Sequence, residues 1–426
     1  MVYGLVLLIL ALLSAPLFAI IAASALFGFH AEDIDLQAVV LEFYRISQMP
    51  ILVAIPLFTF AGYLLGESNA PRRLVRLTRS LLGWMPGGLP IVSLVSCALF
   101  TAFTGASGIT IVALGALLYP ALVAAGYSER FGLGLVTSSG SLGLLFAPSL
   151  PLILYGVVAQ QLGIGAPVNI NQLFIAGLGP GLLMLVLLSI YSIWQRPRQA
   201  LDDEDKPAIR ESLRESAWEL PLPVVILGGI YGGFIGVSEA AAVTALYVFV
   251  VEVLIKREIA WHDLPRVMRE SMIMVGGILI ILGMSLASTN YLIDAEVPTH
   301  IFHFISQHID SRLTFLVLLN IFLLVLGTML DIFSALVIMV PILLPVALQY
   351  GINPLHLGII FLANMQIGYF TPPVGMNLFI ASYRFDEPVL KLYRATLPYF
   401  FILLAAVLII TYWPDLSLAP VRWLTH

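Results

Sequence analysis

The sequence predicts an all-α polytopic membrane protein built from two inverted copies, each with one re-entrant hairpin and one discontinuous helix. Three observations predict it: a composition too apolar for a water-facing surface, apolar runs of spanning length with paired interruptions, and a Gly/Pro pattern that occurs twice. Of 426 residues, 60% are hydrophobic and only 11% charged, and the mean hydropathy is +1.00. Water-soluble domains carry roughly 25% charged residues. Most of this surface must therefore face hydrocarbon.

The same figures exclude several classes. A net charge of −5 with no basic face argues against a nucleic-acid partner. Cys97 is the single cysteine, so no disulfide framework or thiolate metal site is possible. The seven histidines form no zinc-type motif; His300, His303 and His308 share one amphipathic stretch, read as an interfacial helix face.

The elements follow in chain order. Residues 2–29 carry no charge and no preceding Lys or Arg. The run is too long for a signal-peptide core and reads as one retained spanning helix. Further spans are expected at 50–66, 131–160, 173–194, 220–234, 240–255, 272–291, 357–382 and 397–413. Two other apolar stretches, 89–125 and 313–349, are interrupted mid-way by Thr104-Gly105-Ala106-Ser107-Gly108 and by Gly327-Thr328-Met329-Leu330-Asp331.

Charge placement decides how these two are threaded, because Lys and Arg mark cytoplasmic loops. Basic groups cluster at Arg72, Arg73, Arg76 and Arg79, at Arg196, Arg198, Lys206, Arg210 and Arg214, at Lys256, Arg257, Arg266 and Arg269, and at Arg384, Lys391 and Arg394. All four clusters fall inside if both interrupted stretches enter and leave on one side. They therefore read as re-entrant hairpins, the first based in the cytoplasm and the second outside. Trp84, Trp194 and Trp413 sit near span ends, as belt residues do.

The chain then divides into 1–88 (first scaffold helices and arm), 89–160 (first hairpin and broken helix), 161–312 (further scaffold helices and the second arm, with a cytoplasmic linker at 195–216), 313–382 (second hairpin and broken helix) and 383–426 (C-terminal helix). Pro120, Gly126, Gly143 and Pro148 match Pro345, Gly351, Gly368 and Pro373 at one offset (345 − 120 = 225), and Gly62 and Asn69 match Gly283 and Asn290 at another (283 − 62 = 221). An odd number of crossings separates equivalent spans, so the second copy runs upside down, a build in which the site lies at mid-membrane between the copies.

Helix breaks survive in lipid only where protein or a wet site satisfies the freed backbone. Four breaks combine Gly or Pro with hydroxyl or amide side chains: the two tips, residues 137–143 ahead of Pro148, and residues 364–368 leading into Thr371-Pro372-Pro373-Val374-Gly375. Freed carbonyls and hydroxyls suit Na⁺, and half-helix N–H groups suit a carboxylate. The candidate Na⁺ residues are Gly105, Ala106, Ser107, Ser139, Gly140, Gly327, Thr328, Asp331, Gly368, Thr371 and Val374. The candidate substrate residues are Ser107, Ser138, Ser141, Asn364, Thr371, Pro372, Pro373 and Asn377. Small residues also serve close packing in membranes, but four such breaks, paired across the repeats, argue for more than packing. Asp331 reads either as a cation ligand or as a cap on the half-helix after it, and Glu239 as a helix-start acid. No catalytic constellation and no Walker motif is present, so any driving energy comes from an ion gradient or a partner.

The segments GASGITIVALGALLYPALVAAGY, APSLPLILYG, LFIAGLGPG, SEAAAV and NMQIGYFTPPVGMNLFIAS resemble the large membrane subunit of tripartite ATP-independent periplasmic (TRAP) transporters, the DctM-like permeases, over nearly the whole chain. The resemblance implies an elevator-type importer of the bacterial inner membrane, coupled to Na⁺. Its partners would be a small four-helix membrane subunit and a periplasmic substrate-binding protein, and its substrates small organic acids such as C4-dicarboxylates, sialic acid or sugar acids. Ser107 matches the family's hairpin serine, Pro148-Ser149 its first break and residues 371–375 its second. Tyr63 stands where the family carries an acid, and Gly236-Val237-Ser238-Glu239-Ala240 where it carries TPTEA. A self-sufficient ion-coupled anion symporter or antiporter, needing no binding protein, is the alternative.

Overall fold

The computed structural model describes residues 2–195 and 209–424, apart from residues 14, 32, 33, 83, 84, 86, 166, 233 and 310. Trp84 and the linker cations Arg196, Arg198 and Lys206 lie outside the described residues. The described residues form helices and turns, and seven helices are long and apolar enough to cross a membrane, or up to nine if each bent pair is one span. Pro50–Glu67, Ile170–Trp194, Val237–Ile255 and Val389–Tyr412 form where apolar runs predict them.

Two expected spans differ. The run 2–29 is not one helix but two, Val2–Leu12 and Leu17–Ala31, parted at Pro16. A proline lacks the N–H that continues a helix, and here Pro16 starts a new one, its carbonyl accepting from Ala19 N and Ile20 N. The run 220–234 yields only Pro221–Tyr231, because the chain turns at its glycines, with Phe234 N and Ile235 N both donating to Gly229 O.

Both interrupted stretches are hairpins. In the first, Gly88–Thr104 gives way to Ser107–Ala113, which bends by 49° into Gly115–Ala124. The hydroxyls of Thr101 and Thr110 lie 2.6 Å apart. Nine residues of continuous helix would separate them by about 13.5 Å, so the chain reverses at Gly105. In the second, Arg312–Met329 leads to Ile332–Gln349, and Phe315 and Tyr350, at the far ends of the two arms, stack at 4.4 Å.

Each hairpin is followed by a broken helix. Glu129–Leu145 and Leu150–Leu162 meet at 42°, and Pro354–Gly368 and Met376–Phe385 are separated by a turn. Ser128 Oγ accepts from Phe131 N at 3.2 Å and Asn353 Oδ1 from Leu355 N at 2.8 Å. These N-caps stand at the repeat offset (353 − 128 = 225), as do the cis peptide bonds Ala147-Pro148 and Pro372-Pro373 (373 − 148 = 225). Every residue of Pro354–Gly368 is buried, His356, Asn364 and Gln366 included, so this helix is the axis of the core. Ile170–Trp194 and Val389–Tyr412 pack against the broken helices, with Tyr399 Oη donating to Phe131 O at 2.8 Å.

The outer helices form a second group. Leu264–Asp294 packs on Leu17–Ala31, on Gln37–Arg45 and on Ala54–Glu67, and the last of these also packs on Val237–Phe249. The amphipathic helices Ala70–Leu82 and Val297–Ser306 lie against the first and second hairpins respectively. Arg73 on Ala70–Leu82 pairs with Glu219, Glu252 and Glu258, and Lys256 also pairs with Glu219. Burial alone would raise the Glu258 carboxyl, but Arg73 and the Asn69 N–H hold it below its ordinary value of 4.5. A carboxyl lowered by folding stabilises fully above its ordinary value and loses that contribution as pH falls through the lowered one. Glu258→Gln should therefore flatten the acid limb of the apparent melting temperature as pH falls below the ordinary value of 4.5.

Close approach replaces hydrophobic drive where helices pack in lipid. A Cβ on Gly143 would lie 2.2 Å from Ala98 O and 2.5 Å from Ala102 N, whereas one on Gly277 would meet nothing within 4 Å. Gly143→Ala should cost about 1–3 kcal/mol as an overpacked contact, read as earlier thermal loss of the monodisperse detergent peak; Gly277→Ala should be neutral.

Candidate functional site

The first tip is shaped by Gly105, whose φ of 65° places it in the left-handed region and whose N–H donates to Thr101 O at 2.8 Å. A Cβ there would meet the Leu150 side chain at 2.5 Å, so glycine is required on two counts. Thr101 Oγ1 donates to Gly140 O at 2.8 Å, and Ser107 Oγ donates to Asn377 Oδ1 at 2.8 Å. Asn377 Nδ2 in turn donates to Thr137 O at 3.4 Å and its backbone N to Tyr369 O at 2.8 Å. One buried asparagine thus joins the first tip to both broken helices.

The second tip is held mainly through backbone. Gly375 N donates to Thr328 O at 3.0 Å and Ile332 N to Tyr369 Oη at 2.7 Å. Gly327 and Gly368 face each other so closely that a Cβ on Gly368 would lie 2.5 Å from Gly327 C. Asp331 is the cap on the half-helix: Oδ1 accepts from Phe333 N and Ser334 N, both at 3.0 Å, and Oδ2 from Ser334 Oγ at 2.5 Å.

The Na⁺ candidates fall into two groups. Ser107, next to Gly105 and Ala106 at the first tip, lies against Gly140, where a Cβ on Gly140 would come within 3.2 Å of Ser107 O, and Ser139 adjoins Gly140 in the chain. Gly327 and Thr328 lie against Gly368, and Thr371 and Val374 occupy the turn beyond, with Thr371 Oγ1 donating to Ile367 O at 2.7 Å. Asp331 sits beside the second group. The surrounding donors are oxygens, and the buried oxygens Thr137 Oγ1 and Gln366 Oε1 have no hydrogen-bond partner. The candidate groups offer backbone carbonyls, hydroxyls and the Asp331 carboxylate, an all-oxygen set of the kind a hard cation such as Na⁺ takes.

A cavity of about 580 Å³ lies between the tips and the outer helices. Gly105, Ala106, Ser107 and Asp331, of the predicted residues, line it. The other substrate candidates stand elsewhere. Ser138 and Ser141 are buried, their hydroxyls donating to Gly134 O at 2.8 Å and Gln366 O at 3.1 Å. Asn364 donates to Asn320 Oδ1 at 2.7 Å, deep between helices. Pro372 and Pro373 are exposed at the second break, where Pro373 O accepts from Tyr393 Oη at 2.6 Å.

The structure adds Tyr63, Glu67, Glu270, Met274, Tyr369 and Met376 to the wall. Sequence reasoning passed over the two glutamates because an acid at the end of a span looks like any interfacial charge. The departure at Tyr63 was the one local signal. Arg266, which donates to Glu67 Oε2 at 2.9 Å, bridges the helices that bring Glu67 and Glu270 to the cavity.

This architecture is that of an all-helical multi-pass membrane protein. The fold is shared with the Alcanivorax borkumensis YdaH transporter, described as having an unusual topology, at a TM-score of 0.62 and 14% identity over 88% of this chain and 87% of that one. The chain belongs to the tripartite ATP-independent periplasmic transporter family: the profile of its DctM component matches residues 2–416. It is therefore a permease-type subunit of the bacterial inner membrane and not an enzyme.

Relatives include the isethionate TRAP transporter permease DctMQ of Oleidesulfovibrio alaskensis, 34% identical over 95% of this chain and 62% of that protein, so this chain spans under two thirds of its length. The C4-dicarboxylate large permease DctM of Rhodobacter capsulatus is 33% identical over 92% of each chain. The ectoine/5-hydroxyectoine large permease UehC of Ruegeria pomeroyi is 30% identical over 97% of this chain and 96% of its own.

Ser107→Ala would leave the buried Asn377 Oδ1 without its donor. The expected cost is about 1–3 kcal/mol, measured as lowered thermal stability. Protease sensitivity should rise at the first tip and not at the second.

Proposed function

We propose that this chain is the carrier subunit of a Na⁺-coupled, binding-protein-dependent importer of small organic acids that works as an elevator. The observation that carries the reading is one cavity lined by residues of both hairpin tips, with an oxygen-rich group behind each. The relatives' names print isethionate, C4-dicarboxylate and ectoine, so the family context supports small polar organic solutes without selecting one. The tripartite system and the fused DctMQ relative support two partners, a small membrane subunit and a periplasmic binding protein.

The inverted-repeat reading gains support from one contact. Ser141 Oγ donates to the carbonyl of Gln366, its own counterpart in the other copy (366 − 141 = 225). A residue that touches its counterpart lies on the axis relating the two copies, as at an isologous interface. Gly143 against Ala102 is likewise repeated by Gly368 against Gly327 (368 − 143 = 225 and 327 − 102 = 225). Equivalent hairpins on opposite faces would act as paired re-entrant gates.

In this reading the hairpins and broken helices travel as the carrier. Pro50–Glu67, Val237–Ile255 and Leu264–Asp294 stay as scaffold, with Arg73 tying the first arm to Glu252 of Val237–Ile255. Gly66, Glu67 and Glu270 place the cavity at the scaffold ends that bear Arg72, Arg73, Arg266 and Arg269, which supports an inward-facing arrangement. Bound Na⁺ would supply the coupling energy and neutralise freed carbonyl dipoles. Ser107, Asn377 and Tyr369 set the order of events on the protein's side: their bonds close the tips over the solute and must rearrange when a tip opens.

The test is uptake into proteoliposomes holding the chain, its small subunit and its binding protein. An inward Na⁺ gradient should raise initial uptake at least tenfold over a choline gradient. Equal rates would remove the coupling, and full uptake without the binding protein would favour the self-sufficient carrier.

A further inference from the structure

The charge on the cavity wall points to the class of solute. Three carboxylates reach the cavity, Glu67, Glu270 and Asp331, and among its described lining residues there is no Lys, Arg or His. Arg266 stands behind the first two, donating to Glu67 Oε2 at 2.9 Å and Glu270 Oε1 at 3.4 Å. The balance is three acids against one guanidinium (−3 + 1 = −2). Asp331 is hydrogen-bonded by its own half-helix, whose N-terminus offsets part of its charge, so the excess lies mainly with Glu67 and Glu270.

Much of the remaining wall is apolar, with Ile109, Ile332, Phe333 and Met376 among its residues. Low-polarity walls screen charge poorly, so the field of the acids reaches whatever enters. A dicarboxylate brings no cation to set against Glu67 and Glu270, and no Lys, Arg or His on the described wall offsets a second carboxylate. One carboxylate is accommodated differently. The Tyr63 hydroxyl makes a long, weak hydrogen bond to Met274 Sδ, at 3.9 Å, and the Tyr369 hydroxyl accepts from Ile332 N while keeping its own proton to donate.

We propose that this cavity takes a zwitterion, a small solute with one carboxylate and one positively charged nitrogen, and discriminates against dicarboxylates. The carboxylate sits toward the two tyrosines and the tips, and the cationic nitrogen toward Glu270 and Glu67. This rests on the reading of the cavity as the solute site. It selects among the charge types that such a site could hold.

The test is calorimetric titration of the full chain with its small subunit in nanodiscs at saturating NaCl, so that the cation groups behind the tips are held in one state. Succinate and 4-aminobutyrate serve as a size-matched pair differing in the charge of one end, with ectoine as a second, cyclic zwitterion. At least one zwitterion should bind tenfold or more tightly than succinate, and Glu270→Gln should shrink that ratio at least threefold. Succinate binding as tightly as both zwitterions, or neither zwitterion binding, overturns the proposal. The wild-type comparison decides even if the variant fails to fold. Na⁺-driven uptake of succinate by the assembled system would leave the import reading intact while removing the charge assignment.

Discussion

A peptide group without a hydrogen-bond partner cannot face hydrocarbon, and every notable feature of this protein follows from where it breaks that pattern. Its helices are interrupted at two tips and two mid-helix turns; Gly105, Ser139 and Gly327 are buried at three of them, while Pro372 and Pro373 at the fourth are exposed. Pro354–Gly368 is buried along its whole length, and the turn after it meets both hairpins through Tyr369, Gly375 and Asn377. Several kcal/mol per orphaned group is the force that keeps tips and breaks together, and so it also makes the cavity between them.

The two tips are held by different means. The second is joined by two backbone N–H donors and a glycine-on-glycine contact that tolerates no side chain. The first depends on Ser107 and Asn377 side chains and on the Thr101–Gly140 bond within its own half. Side-chain bonds of this kind contribute about 0.5–1.5 kcal/mol each and re-form easily. The first tip is accordingly the more weakly held of the two, while the second is tied directly to the turn after Pro354–Gly368.

Outside the carrier, stability is handled electrostatically. Arg73 is surrounded by Glu219, Glu252 and Glu258, with Lys256 completing the cluster where the first arm, the end of Val237–Ile255 and the following turn converge. Such a buried set costs desolvation and returns a defined geometry rather than much net stability.

The amino-acid sequence alone determined the solvent, the class of fold, the breaks at residues 104–108 and 327–331, and the spacing of 225 that pairs Gly143 with Gly368. All of these are local or periodic properties, written in hydropathy and in Gly and Pro. Its reading of 2–29 as one helix missed the start that Pro16 makes, because a proline begins a helix as readily as it ends one. Only the tertiary structure decided which polar groups share a space. Ser138, Ser141 and Asn364 look like binding residues in sequence but spend their hydrogen bonds inside the core. Glu67 and Glu270, far apart in the chain and unremarkable in either place, meet across the cavity because two scaffold helices pack side by side. A pocket's charge is a sum over residues that only folding brings together, and no spacing rule records it.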